Sequence, residues 1–299
     1  MDKVLLTGAN GFVGQEIKDF FRAKGVDLVL SKRGVDDTGL SPNELLIGDL
    51  GPDTDWNKCL AGVKIVIHAA GIVDKAGALT NNEMEEFNRV NNLGTKRLVE
   101  QSVAKGVKLF VFLSTIKVNG ERTQVGNPFN HKMKPSPLGA YAISKFNAEN
   151  CVINMTKKTK TDYLILRLPL IYGNNNRGNF GKIIKLIKSG IPMPVGGLRY
   201  NKRSVMNINN FVRFLKHCID RSEIRNKTML IGDDPPLSTF ELFKLSANTD
   251  GRRFRYFYVS PLIIKLLLKI LGKEAISQKI LGNLEIDIAP ELKKFFKKS

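Results

Sequence analysis

The sequence predicts an α/β chain: a doubly wound parallel sheet with a smaller lobe built from the C-terminal part. Three observations predict it. Up to Tyr172, short β-branched or leucine-rich runs alternate with longer amphipathic ones. A glycine-rich turn joins the first of those runs to the first amphipathic one. Past Tyr172 the alternation weakens, and Asn174-Asn175-Asn176, Pro192, Pro194, Gly196-Gly197 and Pro235-Pro236 punctuate shorter elements. Strands alternating with helices of this length imply βαβ units and a parallel sheet. The expected division is 1–172 for the sheet domain and 173–299 for the smaller substrate-binding lobe, with the chain free to cross between them.

Taken in order, strands are expected at 3–7, 27–30, 45–47, 64–68, 109–114 and 163–168. Helices are expected at 12–24, 81–105 and 141–158, where Met84, Phe87 and Val90 keep the spacing of one buried face. The late run 261–271 is apolar but interrupted by Lys265 and Lys269. It reads as an amphipathic helix packed on the smaller lobe. A lesser reading makes it an interfacial helix that lets the basic tail rest on an anionic membrane.

Composition narrows the function classes. Cys59, Cys151 and Cys218 are scattered, without disulfide or metal-ligand arithmetic, and read as inert thiols of a reducing compartment. With three histidines and no acidic cluster at ligand spacing, no metal site is expected. No secretory leader is visible, so a cytoplasmic location is expected. The net charge of +19 favours anionic partners, but the basic residues are dispersed and no nucleic-acid-binding module appears.

The segment Gly8-Ala9-Asn10-Gly11-Phe12-Val13-Gly14 follows a strand and opens a helix, the context in which a glycine triplet binds a dinucleotide. Gly8 permits the turn, Gly11 clears space for a pyrophosphate, and Gly14 lets helix and strand pack closely. The helix N-terminus offers N–H donors to the phosphates. Where a carboxylate would hold the adenosine ribose, the second strand ends in Ser31-Lys32-Arg33. Those cations favour NADP(H), with Arg33 near a 2′-phosphate, over NAD(H); the alternative is two solvated surface cations. Asp49-Leu50 follows the third strand, where the carboxylate can accept from an adenine amino group.

Tyr141 and Lys145, four apart at a helix start, share one face. A neighbouring ammonium lowers the cost of the phenolate and makes the tyrosine an acid–base at working pH. Thr115, at the end of the strand before that helix, can hydrogen-bond the same substrate oxygen. Arg167 follows on the next strand. His68 reads as a packing or backbone-bonding residue.

Together these segments resemble the extended short-chain dehydrogenase/reductases, the NAD-dependent epimerase/dehydratase family of nucleotide-sugar enzymes. Matching segments are Thr7-Gly-x-x-Gly-x-x-Gly14, Asp49-Leu50, His68-Ala69-Ala70-Gly71, Asn91-x-x-Gly94-Thr95, Ser114-Thr115-x-x-Val118-x-Gly120, Tyr141-x-x-x-Lys145 and Leu166-Arg167-x-Pro169-x-x-Tyr172-Gly173. The resemblance implies a Rossmann-type fold and a UDP-sugar substrate. Thr115, Tyr141 and Lys145 would be catalytic, with Lys145 also on the nicotinamide ribose. The loop from Gly8 to Gly14, Asp49, Leu50, Ala69, Ala70 and Gly71 would hold the cofactor. Arg203 and Asn179 would take the UDP side. A homodimer is implied through the helices at 81–105 and 141–158.

Departures narrow the choice. Members that eliminate water across C5–C6 carry Asp-Glu directly after the threonine, whereas Ile116-Lys117 stand here, so a 4,6-dehydratase is not expected. The Arg167–Gly173 segment, with Arg177-Gly178-Asn179-Phe180, is similar to reductases of UDP-4-keto-6-deoxy-N-acetylhexosamines. Reduction of such a C4 ketone is the leading expectation and 4-epimerisation of a UDP-hexose or UDP-N-acetylhexosamine the alternative. A non-catalytic dinucleotide sensor comes third, since Tyr141 and Lys145 are both kept.

Overall fold

In the computed structural model, which describes residues 2–34, 39–73, 80–173, 178–249, 251 and 253–298, the chain forms two units. The first comprises 1–120, 134–168 and 211–230; the second comprises 121–133, 169–210 and 231–299.

The first unit holds a parallel sheet of seven strands: β1 (Val4–Thr7), β2 (Leu28–Lys32), β3 (Glu44–Leu46), β4 (Ile65–His68), β5 (Leu109–Thr115), β6 (Asp162–Leu168) and β9 (Lys227–Leu230). Their order is β3-β2-β1-β4-β5-β6-β9, which continues the doubly wound 3-2-1-4-5-6 arrangement by one strand. β1 and β4 are fully buried, and so are all seven residues of β5, as expected for a sheet covered by helices on both faces. Phe110, Phe112, Val66, Ile165 and Trp56 lie in its core. Strand order reverses between β1 and β4, and in such sheets ligands bind at the strand ends there.

The helices of this unit are α1 (Phe12–Ala23), α2 (Asn81–Phe87), α3 (Gly94–Ala104), α4 (Gly139–Thr156) and most of α6 (Ile208–Ile219). A capping box at Thr80 and Glu83 starts α2. The helix expected at 81–105 is broken by a π-helical turn, Asn88–Leu93, which brings Val90 and Asn91 inward. Strand β9 was not foreseen: Lys227-Thr-Met-Leu lies in the punctuated part of the sequence, yet pairs with Leu164–Arg167 of β6.

The second unit contains a two-stranded parallel ladder, β7 (Leu170–Tyr172) with β8 (Val205–Asn207). Its helices are α5 (Gly178–Lys188), α7 (Thr239–Thr249), α8 (Pro261–Ile270), α9 (Glu274–Leu281) and α10 (Pro290–Lys298). Ile187, Val195, Leu198, Phe240, Phe243 and Ile264 form its main core. The helix expected at 261–271 exists, but of its described side chains only Ile264 is fully buried, so most of its apolar residues face outward. Among the described residues, no helix is long and apolar enough to cross a membrane.

Candidate active site

At the end of β1 the chain turns on Gly8, whose φ of +72° suits glycine; a Cβ there would lie 2.6 Å from the Ala70 amide nitrogen. Gly11 N–H donates to the Gly8 carbonyl at 2.9 Å. A Cβ on Gly14 would collide with that same carbonyl, so helix α1 packs against the loop only because residue 14 lacks a side chain. Helix α1 has no side-chain cap and no acidic residue in its first turn. Its opening N–H groups and positive dipole end are therefore available to an anion. The cradle fits a pyrophosphate in kind: Gly11 is the N-cap of α1, and Phe12 and Val13 open its first turn.

The turn Ala69-Ala70-Gly71 is held by a chain of hydrogen bonds. Thr95 donates its hydroxyl proton to the Asn91 carbonyl at 2.6 Å and so must accept from His68 Nε2 at 2.9 Å. His68 Nδ1 then accepts from Thr7 Oγ1 at 2.7 Å, and Thr7 Oγ1 accepts from Ala70 N–H at 3.2 Å. Burial, with Lys145 nearby, pushes His68 down to about 3, so the ring is neutral. His68 is thus bonded by side-chain hydroxyls rather than by backbone. Asn91, given no role from sequence, bonds Ile72 through both N–H and C=O at 2.9 and 3.0 Å and donates to Ser144 Oγ at 3.2 Å. It joins the turn after β4 to the helix of Tyr141.

The cations at the end of β2 differ in their engagements. Lys32 pairs with Glu44 at 2.7 Å, across the β2–β3 ladder, so that cation is occupied. Arg33 is exposed. Asp49 takes Arg89 at 2.7 Å on one oxygen and the Leu50 N–H at 2.8 Å on the other; the Arg89 guanidinium holds its carboxyl below the usual range.

Thr115 ends β5, and its hydroxyl caps the short 3-10 turn Ile116–Val118 by accepting from Lys117 N–H at 3.3 Å. Tyr141 sits in the first turn of α4, its ring 5.9 Å from that of Phe87. Lys145 is one turn on, 6% exposed, with Nζ 4.2 Å above the Phe112 ring of β5. Burial pulls its ammonium down to about 7, partly opposed by Glu149. The Lys117 ammonium lies 6.0 Å from the Tyr141 ring centre, a cation near the aromatic ring at a position that in the sequence reads only as a missing carboxylate. Tyr141, Lys145 and Glu149 follow at four-residue intervals, and the third member was also missed. Glu149, 1% exposed, accepts from Ser114 Oγ at 2.5 Å and from Arg167 at 2.6 to 3.2 Å; Arg167 also donates to Asn119 Oδ1 at 2.9 Å. This buried network ties α4 to β5 and β6, and so holds Tyr141 and Thr115 in register.

Of the other expected site residues, Arg203 belongs to the second unit, where its guanidinium donates to the Gly282 carbonyl at 3.1 Å and its backbone pairs with Leu237. Asn179 falls in the first turn of α5, and its side chain lies outside the described residues. Among the described residues, no group of three or more His, Cys, Asp or Glu could hold a metal ion. Cys59 and Cys218 are buried and Cys151 half-buried; burial pushes the Cys59 thiol up to about 11.

Residues 4–232 match the model of the NAD dependent epimerase/dehydratase family. The chain is 33% identical over 292 residues to the UDP-glucose 4-epimerase of Vibrio cholerae, covering 96% of this chain and 87% of that protein. It is 27% identical to the N-acetyl-alpha-D-glucosaminyl-diphospho-ditrans,octacis-undecaprenol 4-epimerase of Escherichia coli O157:H7, over 81% and 70% of the two chains. Among solved structures, the UDP-glucuronic acid 4-epimerase from Bacillus cereus in complex with UDP-glucuronic acid and NAD superposes with a TM-score of 0.74 at 18% identity. That match covers 99% of this chain and 93% of the other. The UDP-N-acetylglucosamine 4-epimerase from Bacillus cereus gives 0.73 at 20%, over 97% and 99%. At those identities the structural matches establish the fold.

Proposed function

The chain belongs to the NAD dependent epimerase/dehydratase family, and from that premise we propose that it exchanges a hydride at C4 of a UDP-sugar, with Tyr141 as the acid–base. The observation that carries this reading is the placement of Tyr141 and Lys145 on the first two turns of α4 and of Thr115 at the end of β5, with Lys145 Nζ 3.9 Å from where a Cβ on Gly71 would stand. A bound nicotinamide dinucleotide supplies the hydride acceptor and donor.

In this reading the Tyr141 phenolate takes the proton from the C4 hydroxyl when C4 is oxidised, and Tyr141 returns it when the ketone is reduced. Lys145 and Lys117 stabilise the phenolate. Thr115 hydrogen-bonds the C4 oxygen and keeps it within reach of Tyr141. Gly8, Gly11 and Gly14, with the first turn of α1, would hold the pyrophosphate, Asp49 and Leu50 the adenine end, and Ala69 to Gly71 the remainder of the dinucleotide. Arg203 and Asn179 bind the UDP moiety.

The full-length likeness to a UDP-glucose 4-epimerase supports 4-epimerisation, in which one sugar is oxidised and re-reduced on the opposite face. A second reading, reduction of a UDP-4-keto-6-deoxy-N-acetylhexosamine, is favoured by Ser31-Lys32-Arg33, which places no carboxylate at the end of β2 and so suits NADP(H). Because Lys32 is paired with Glu44, that preference rests on Arg33. Incubation with UDP-glucose, then UDP-N-acetylglucosamine, without added cofactor separates the two readings. Interconversion with the galacto sugar supports the epimerase. Inertness toward both, with stoichiometric oxidation of NADPH by the 4-keto-6-deoxy sugar, supports the reductase. In either case Tyr141→Phe should lower turnover by about a hundredfold or more and leave dinucleotide binding intact. Retained turnover would overturn the role of Tyr141.

A further inference from the structure

The second unit presents a surface that its own core does not use. Helix α8 is anchored by Ile264, with Leu268 packed beside it on the cluster of Ile187, Phe240 and Phe243. At 100° per residue, Leu262, Leu266 and Ile270 point the opposite way and are 77%, 58% and 72% exposed. Ile263 and Leu267 widen that outward arc, each 52% exposed. Exposed Lys265 and Lys269 occupy one shoulder, between the buried and the outward arcs. Just before the helix, Tyr256, Phe257 and Tyr258 are also exposed, as are Arg253 and Arg255. From Gly251 to Lys273 the sequence contains no acidic residue.

A helix facing only water carries charge on its outer arc. Here the outer arc is aliphatic, lysines line one side of it, and tyrosines stand at its entry. That is the composition of a helix lying in a membrane interface, where aliphatic side chains reach the acyl boundary, lysine stems snorkel and aromatic rings sit among headgroups. With ten residues, α8 is too short to cross a bilayer, so it would lie on one.

We propose that α8 and the Tyr256–Tyr258 segment dock the protein onto an anionic phospholipid surface. Charge complementarity selects this occupant over a second copy of the chain. A two-fold pairing through α8 would place four lysines at the rim of an interface between two copies of a protein of net charge +19, and lysine is depleted from protein interfaces. Anionic headgroups neutralise those lysines instead.

The test is co-sedimentation of the full chain with vesicles of equal parts phosphatidylglycerol and phosphatidylcholine, and with phosphatidylcholine alone. The protein should pellet with the anionic vesicles, less so as salt rises, and stay in solution with the neutral ones. Leu266→Glu with Ile270→Glu should cut anionic-vesicle binding about tenfold or more. Lys265→Glu with Lys269→Glu should remove the preference for anionic lipid. These positions are exposed, so all variants should keep the wild-type urea midpoint. Failure of the wild type to pellet with anionic vesicles overturns the proposal, as does equal binding to both compositions. If sedimentation velocity then shows a dimer that Leu266→Glu with Ile270→Glu dissociates, the face belongs to a second copy.

Discussion

Replacing Glu149 by Gln isolates the network that holds the candidate acid–base in place. The substitution keeps the shape of the side chain and removes its charge. Glu149 and Arg167 are only 1% and 8% exposed, so the charge left on Arg167 has little water to turn to. Its remaining described acceptors are the amide oxygens of Asn119 and of the new glutamine. Breaking a buried pair by removing one partner costs about 3–5 kcal/mol, and the retained amide oxygen places this variant near the lower end. That is a large share of a domain stability of about 5–15 kcal/mol. The protein has a single tryptophan, Trp56, buried in the first unit, so its fluorescence in urea follows that unit alone. The double variant Glu149→Gln with Arg167→Met leaves no unpaired charge and should recover more than half of the loss. A Glu149→Gln cost below about 1 kcal/mol, or a double variant less stable than the single one, would refute the assignment of the network as a buried, mutually dependent ion pair.

Three further outcomes follow from the geometry. Gly14→Ala places a methyl group against the Gly8 carbonyl and should abolish dinucleotide binding, measured by titration calorimetry; wild-type affinity would contradict the cradle. Lys145→Met removes the cost of a buried ammonium. Because its folded-state value is about 7 against an ordinary 10.5, that cost is complete below about pH 7 and fades as pH climbs toward the ordinary value. The variant's stability advantage should therefore be larger at about pH 6 than at about pH 9, and an unchanged gap between urea midpoints would count against it. Lys117→Met withdraws a cation 6.0 Å from the Tyr141 ring, so the limb of the turnover–pH profile that reports phenolate formation should move to higher pH. An unmoved limb would reduce Lys117 to a surface residue.

The sheet was legible because parallel strands buried on both faces are written as short apolar runs, and because a glycine turn between strand and helix leaves a fixed spacing. Strand β9 was not: Lys227-Thr-Met-Leu is an edge strand supplied by a distant part of the chain, and no local pattern announces which sheet it joins. Tyr141 and Lys145 stand out in the sequence as candidates because they lie four apart at a helix start, and Thr115 joins them through the Ser114-Thr115 segment of the family resemblance. Asn91 and Glu149 act by bonding elements 53 and 35 residues away in sequence, which only the folded chain brings together. The pairing of Lys32 with Glu44 was hidden for the same reason. The packing of α8 through Ile264 and Leu268 was legible, but not how much of its apolar surface stays outside, because the same apolar periodicity describes a helix packed on a core and a helix turned from it.

The central claim, hydride exchange at the sugar C4 with Tyr141 as acid–base, is tested most directly with deuterium. A UDP-4-keto sugar is supplied together with reduced nicotinamide cofactor deuterated at the transferring position, and the recovered UDP-sugar is read by NMR. Both the epimerase and the reductase readings predict deuterium at C4 with the wild type and almost none with Tyr141→Phe. Deuterium at another carbon, or full incorporation by the variant, would contradict the claim.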